Sequence, residues 1–343
     1  MKILKFLFLS VVIIGLNSCS SSDDSNKTGG NQPNVESITI TSNLDTQTIG
    51  GSVTFVVKTN TDADVTSSAT ISVGNNVVSN ATFTSSTVGT YTVTANYSGK
   101  SATTIVNFIE GPSISFAKRV LIEDYTGTWC GYCPRVSFGI EQVKAQTEYA
   151  VPVAIHRGND PYNFSGAGVL ENLIGLQGYP TAMLNRLTEW KYPEPNNVNQ
   201  VVALTQGTLP KLGLAMTANV SGGNVSLTVK TKFGKDITGA KLVVYALENG
   251  LIYNQVNYTS YFGGGATIAG FTHDHVVRAV FTNILGDEIP SSESVYENVY
   301  TKTFSVPVPS NVANVSNMEF VAFVVGSDKK AINVRKAVSG DNQ

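Results

Sequence analysis

Arg119-Val120-Leu121-Ile122-Glu123-Asp124-Tyr125-Thr126-Gly127-Thr128-Trp129-Cys130-Gly131-Tyr132-Cys133-Pro134 is the stretch on which the reading of this chain turns. Arg119 to Tyr125 is apolar-rich and reads as a strand, and Val136, Ile140 and Val143 then recur at helical spacing. Two cysteines therefore fall where a strand gives way to a helix, with Cys130 expected at the helix start. Unpaired amides and the helix dipole lower a thiol pKa there, and the thiolate is the reactive form. Cys133, nearly one turn later, falls on the same side and can attack a mixed disulfide held on Cys130. Pro134 in the first turn removes a donor that has no partner anyway. Outward from this motif, Val151 to Ile155 reads as a strand, Val169 to Leu176 as a short helix and Thr181 to Leu184 as a third strand. That β-α-β-α-β order predicts an α/β domain on a parallel sheet.

Three features, Trp129-Cys130-Gly131-Tyr132-Cys133, Gly178-Tyr179-Pro180-Thr181 and Asp124 six residues before Cys130, resemble thioredoxin-like proteins over roughly Ser113 to Thr205. The resemblance implies that Cys130 is the nucleophile, that Cys133 resolves, and that the two form a redox disulfide beside Trp129. It also implies that Pro180 is a cis-proline shaping substrate docking and that Asp124 is a buried carboxylate relaying the resolving thiol's proton. Glu123 points to the opposite strand face, and a one-residue shift in register exchanges the two. Thr126-Gly127-Thr128 replaces the bulkier residues of typical thioredoxins. The run Glu123 to Pro134, with the β-rich sequence downstream, also resembles the twenty-eight-kilodalton outer membrane protein family. Those are surface lipoproteins with a thioredoxin-like unit and a C-terminal β-sandwich.

The N-terminus fits that expectation. Lys2 and Lys5 precede an apolar run from Phe6 to Leu16, which is too short to span a bilayer and reads as a signal peptide over 1–18. Leu16-Asn17-Ser18-Cys19 resembles a lipobox, which implies acylation of Cys19 and a membrane partner through that lipid. Residues 19–34 are almost free of apolar side chains and are expected to be a disordered tether. With Cys19 assigned to lipid, only Cys130 and Cys133 remain to pair, and so short a loop is a poor staple for a large domain.

From 35 to 110, short alternating runs such as Val53-Thr54-Phe55-Val56-Val57 predict a small β-sandwich. Gly89-Thr90-Tyr91-Thr92-Val93-Thr94-Ala95 resembles the late strands of bacterial immunoglobulin-like modules, with an inward Tyr and Val. Gly111-Pro112 marks a boundary. Beyond about Thr205 alternation returns, with a hairpin around Ser221-Gly222-Gly223-Asn224. The expected order is thus multidomain and mostly β: an immunoglobulin-like sandwich at 35–110, a thioredoxin-like α/β domain at 111–205 and an antiparallel β-sandwich at 206–343.

A net charge of -2 and no basic cluster past the first residues exclude a phosphate-backbone partner, so no nucleic acid is expected. No cofactor is expected either, since no phosphate loop or dinucleotide fingerprint is visible. His273-Asp274-His275 places two imidazoles on one strand face, a possible surface metal site, but no metal is assigned; His156 ends a strand near the motif. The expected function is extracytoplasmic thiol-disulfide exchange with protein thiols or disulfides. The rival expectation is a surface binding or adhesion lipoprotein that keeps Cys130-Cys133 as a local disulfide on a scaffold.

Overall fold

The structure is a computed structural model that describes residues 35–342. The signal peptide, the lipobox Cys19 and the tether at 19–34 lie outside the described residues. The chain divides into two compact units between Glu110 and Gly111.

In the first unit, strict alternation makes the strands. Along Ser52–Thr59, Val53, Phe55 and Val57 are buried while Ser52, Thr54 and Val56 face solvent. One sheet joins Ile38–Ser42, Ser52–Thr59 and Thr82–Thr84; the other joins Thr46–Thr48, Lys100–Ile109, Gly89–Tyr97, Thr70–Val73 and Asn76–Val77. Both contribute to one core, in which Val93 and Ala95 are fully buried and Tyr91 lies edge-on to Phe108. The Tyr91 hydroxyl lies 2.7 Å from Ser85 Oγ, which gives its polar end a partner.

The second unit is built on a nine-stranded sheet. Eight strands run in the order Thr188–Glu189, Thr181–Leu184, Val120–Thr126, Ala150–His156, Val276–Val280, Lys241–Glu248, Met318–Val325 and Ala331–Val338. Asp287–Glu288 pairs beside Lys241–Glu248. Val120–Thr126 and Ala150–His156 pair in parallel, and every residue of both is buried, as in sheets covered on both faces. Helix α1, Pro134–Lys144, covers one face, where Val136 and Val143 pack with Val120, Ile122 and Trp190. A Cβ on Gly139 would come within 3.0 Å of the Trp190 ring, so the one glycine of α1 admits that indole. Helix α2, Ala167–Ile174, covers the other face, where Leu170 packs with Leu121 and Tyr125.

Two expectations change here. Thr181–Leu184 pairs antiparallel to Val120–Thr126, so the sheet is mixed and not parallel. An eight-residue helix spans only about 12 Å, against about 23 Å for a seven-residue strand, so α2 does not carry the chain back for a second parallel crossover. The line expected between 205 and 206 is also not a boundary between compact units, because the sheet continues across it. Lys241–Glu248 and Met318–Val325 are buried on both faces. Leu242, Val244 and Ala246 face a three-stranded sheet of Leu212–Ser221, Asn224–Phe233 and Val299–Pro307, while Val243, Tyr245 and Leu247 share the core under α2. Strands apolar on both faces need two covering layers, and only one comes from the C-terminal sequence.

Candidate functional site

The motif occupies the loop between Val120–Thr126 and α1. Cys130 N–H donates to the Gly127 carbonyl at 3.0 Å and Cys133 N–H to the Cys130 carbonyl at 3.2 Å. Cys130 and Cys133 are joined by a disulfide. Helix α1 begins at Pro134 with Cys133 as its N-cap, so Cys130 sits in the turn before the helix and not in its first turn. Proline's fixed φ and missing donor suit the first helical position, which sets the start there.

Trp129 and Tyr132 are exposed, but Cys130 and Cys133 are only 4% and 1% exposed. A hairpin that the sequence reading did not assign, Leu251–Val256 paired with Thr267–His273, binds the motif's backbone together with its connecting loop. Val256 N–H donates to the Thr128 carbonyl at 2.8 Å, and Tyr258 N–H to the Gly131 carbonyl at 2.7 Å. The buried Gln255 amide donates to the carbonyls of Gly127 and Cys130 at 3.2 and 2.9 Å. Ring contacts complete the seat: Tyr258 lies edge-on to Tyr132 and Tyr261 stacks on Phe138 of α1.

On the other side of the motif, Trp129 Nε1–H donates to the Arg157 carbonyl at 2.6 Å and the indole lies edge-on to Tyr179, with ring centres 5.4 Å apart. Tyr179-Pro180 is a cis peptide bond, as is Tyr192-Pro193. Tyr179 is anchored by its hydroxyl, which donates to Glu171 Oε1 at 2.5 Å. Burial and the Glu171 carboxylate push its phenol above the usual range.

Asp124 and Glu123 take opposite faces, and both are buried rather than solvated at the strand end. Glu123 lies under α2, where the Tyr245 hydroxyl donates to it at 3.2 Å and Arg186 Nε approaches to 3.7 Å. Asp124 faces α1. Its Oδ1 is buried with no hydrogen-bond partner. Burial, and next the Glu194 carboxylate, push the Asp124 carboxyl well above the ordinary carboxylate range, while Arg135 opposes them. Arg135 is itself held by Glu194, its Nε donating at 2.5 Å.

Beside Asp124 lies a cavity of about 80 Å³, also lined by Thr126, Ile140, His156, His273 and His275. His156 is buried, with Nδ1 3.0 Å from Asp160 Oδ2. Burial alone would raise Asp160, but hydrogen bonds from His156, Thr128 and Tyr162 hold it below its usual value. Burial, helped by His156, pushes His273 down to about 4. His273 ends its strand, whereas His275 lies in the following turn at φ 58°. The two imidazoles expected on one strand face are thus not on one strand. Among the described residues no group of three or more His, Cys, Asp or Glu side chains is placed to hold a metal ion. No helix among them is long and apolar enough to cross a membrane.

None of the curated proteins matches this chain. Among solved structures, HBP35 of Porphyromonas gingivalis is 19% identical, over 67% of this chain and 79% of that one, with a TM-score of 0.53, a likeness of fold alone. A domain of the outer membrane lipoprotein Omp28 from Porphyromonas gingivalis is 20% identical, over 40% of this chain and 95% of that one, with a TM-score of 0.26. The family model described as outer membrane protein Omp28 matches residues 167–343, just over half of the chain. The chain belongs to the Omp28 family of outer membrane proteins.

Proposed function

We propose that this protein is an extracytoplasmic thiol-disulfide oxidoreductase that exchanges Cys130-Cys133 with protein thiols or disulfides and is a lipoprotein held by lipid on Cys19. In this reading the motif and its sheet form a thioredoxin-like unit, and residues 35–110 form an immunoglobulin-like spacer. The observation that carries it is the Cys130–Cys133 disulfide in the turn ahead of α1, with the cis Tyr179-Pro180 loop against Trp129 and a buried Asp124 carboxyl, its Oδ1 unpartnered, on the preceding strand.

In the reducing direction the Cys130 thiolate attacks a substrate disulfide, and one substrate sulfur leaves as thiolate while the other stays bound to Cys130. Cys133 gives up its proton, for which the Asp124 carboxylate is the acceptor, and attacks the Cys130 sulfur. The Cys130–Cys133 bond forms, the second substrate thiolate leaves, and two electrons have passed to substrate. The oxidising direction is the same sequence reversed. Replacing Cys133 by Ser removes the resolving thiol, so partners accumulate as reductant-sensitive adducts on a non-reducing gel. Cys130→Ser gives no such band, and equal trapping by both variants would overturn the assignment of roles.

One observation favours a second reading, a surface binding lipoprotein on a thioredoxin-like scaffold. Both cysteines are almost fully covered, and the Gln255–Tyr258 segment is hydrogen-bonded over them. In that case neither variant traps a partner from surface or periplasmic extracts.

A further inference from the structure

The chain's three histidines come from separate stretches of sequence, yet all three line the one cavity of about 80 Å³ beside Asp124. That volume has room for a few waters or a hydrated ion. His275 faces a charged group at each nitrogen: Nδ1 is 3.3 Å from Glu319, an ion-pair approach without a hydrogen bond, and Nε2 is 3.2 Å from Lys144 Nζ. The other two are arranged differently. His156 Nδ1 is tied to Asp160, and the Tyr253 backbone lies beside the His273 ring. His273 Nε2 is buried with no hydrogen-bond partner and lies on the cavity wall, open to a ligand. An imidazole whose Nδ1–H is fixed by a carboxylate or carbonyl keeps its lone pair on Nε2, the arrangement found in histidine metal ligands.

The ring spacing fits one shared ion. At Zn–N distances of about 2.0–2.1 Å a metal lies roughly 3.2 Å from an imidazole centre, so two rings sharing it near a tetrahedral angle have centres about 5.2 Å apart. The His156 and His273 centres are 5.3 Å apart, with ring planes at 76°. Asp124 Oδ1 is a second buried, unpartnered atom on the same cavity wall. Bare buried acceptors are costly unless something donates to them or coordinates them.

We propose that His156 Nε2 and His273 Nε2 bind one borderline divalent transition-metal ion of the Zn²⁺ and Cu²⁺ class, with water in the remaining positions and Asp124 as hydrogen-bond partner of a bound water. Two imidazoles without a third protein ligand suit this class better than Ca²⁺ or Mg²⁺, which take oxygen ligands. The proposal does not depend on the redox reading.

The test is titration of the metal-free, full-length protein with Zn²⁺, and with Cu²⁺ for its spectrum, while Cys130–Cys133 is kept oxidised so that no thiol binds metal. Saturable binding of one equivalent is expected, with nitrogen coupling in the Cu²⁺ resonance. His156→Ala and His273→Ala should each weaken it by about tenfold or more, judged against what loss of even an outer partner costs. His275→Ala, which removes a wall residue outside the ligand pair, should bind as the parent does. Unchanged melting of the metal-free variants excludes misfolding as the cause. Absence of saturable binding below about 1 mM, where the binding free energy is only about -4 kcal/mol, would overturn the proposal. So would undiminished binding in folded His156→Ala and His273→Ala variants.

Discussion

The Tyr258 ring is packed against the backbone of Gly131, so closely that a Cβ at Gly131 would fall 2.3 Å from Tyr258 Cδ2. Tyr258 N–H also donates to the Gly131 carbonyl at 2.7 Å. The residue between the two cysteines and its neighbour thus hold the hairpin over the disulfide. Tyr258→Ala should uncover Cys130–Cys133 and speed its reduction by a small dithiol about tenfold, since exchange rates depend on access to the attacked sulfur. Gly131→Ala should act in the same direction and cost about 1–3 kcal/mol, because the ring must move to admit the methyl group. A reduction rate unchanged in Tyr258→Ala would show that this contact does not limit access.

Arg135→Ala removes the partner of Glu194, which is only 3% exposed and is bound through both carboxylate oxygens. A buried carboxylate stripped of its partner costs about 3–5 kcal/mol. Denaturant unfolding checks this. The double change Arg135→Met with Glu194→Gln should recover most of the loss, whereas equal loss in both proteins would place the effect elsewhere.

The raised Asp124 carboxyl makes stability depend on pH in a definite direction. Its proton is held more tightly in the folded protein than in the unfolded chain, so its contribution is fully present below the ordinary carboxylate pKa of about 4 and is lost as pH rises toward the raised folded value. In the oxidised protein, Asp124→Asn should flatten this fall and gain about 1–3 kcal/mol at neutral pH, the scale of one uncompensated buried group. Parallel stability profiles for parent and variant between pH 4 and 8 would contradict the shift.

Cys19→Ala should release the protein from the membrane fraction and abolish lipid labelling, because the acyl chains proposed on Cys19 are the anchor. The thiol chemistry should be unaffected. A variant that still fractionates with membranes and still takes up label would remove Cys19 as the anchor.

Local patterns made some of the fold legible. Val136 and Val143 at helical spacing face the sheet within α1, Thr181–Leu184 is a strand, and the Ser221-Gly222-Gly223-Asn224 turn joins two paired strands. What escaped is non-local. Nothing in the Val276 strand announces that it pairs beside Ala154, so the continuity of the sheet across 205 was invisible. The hairpin over the motif lacks clean alternation: Ile252 and Tyr253 are both exposed, and the pairing slips between Tyr253 and Gln255. Gln255, whose amide ties that hairpin to the motif, is a single glutamine with no spacing to mark it. The only local trace was Gly131, whose missing side chain leaves room for Tyr258.

The central claim, that Cys130 is an activated nucleophile, is tested most directly by alkylation of the reduced protein across pH, with the modified cysteine identified by mass. Cys130 should react as a thiolate with a pKa clearly below the unperturbed value of about 8.5, while Cys133 reacts more slowly and with a higher pKa. An ordinary pKa at Cys130, with Cys133 equally reactive, would contradict the redox assignment and leave the motif a structural disulfide.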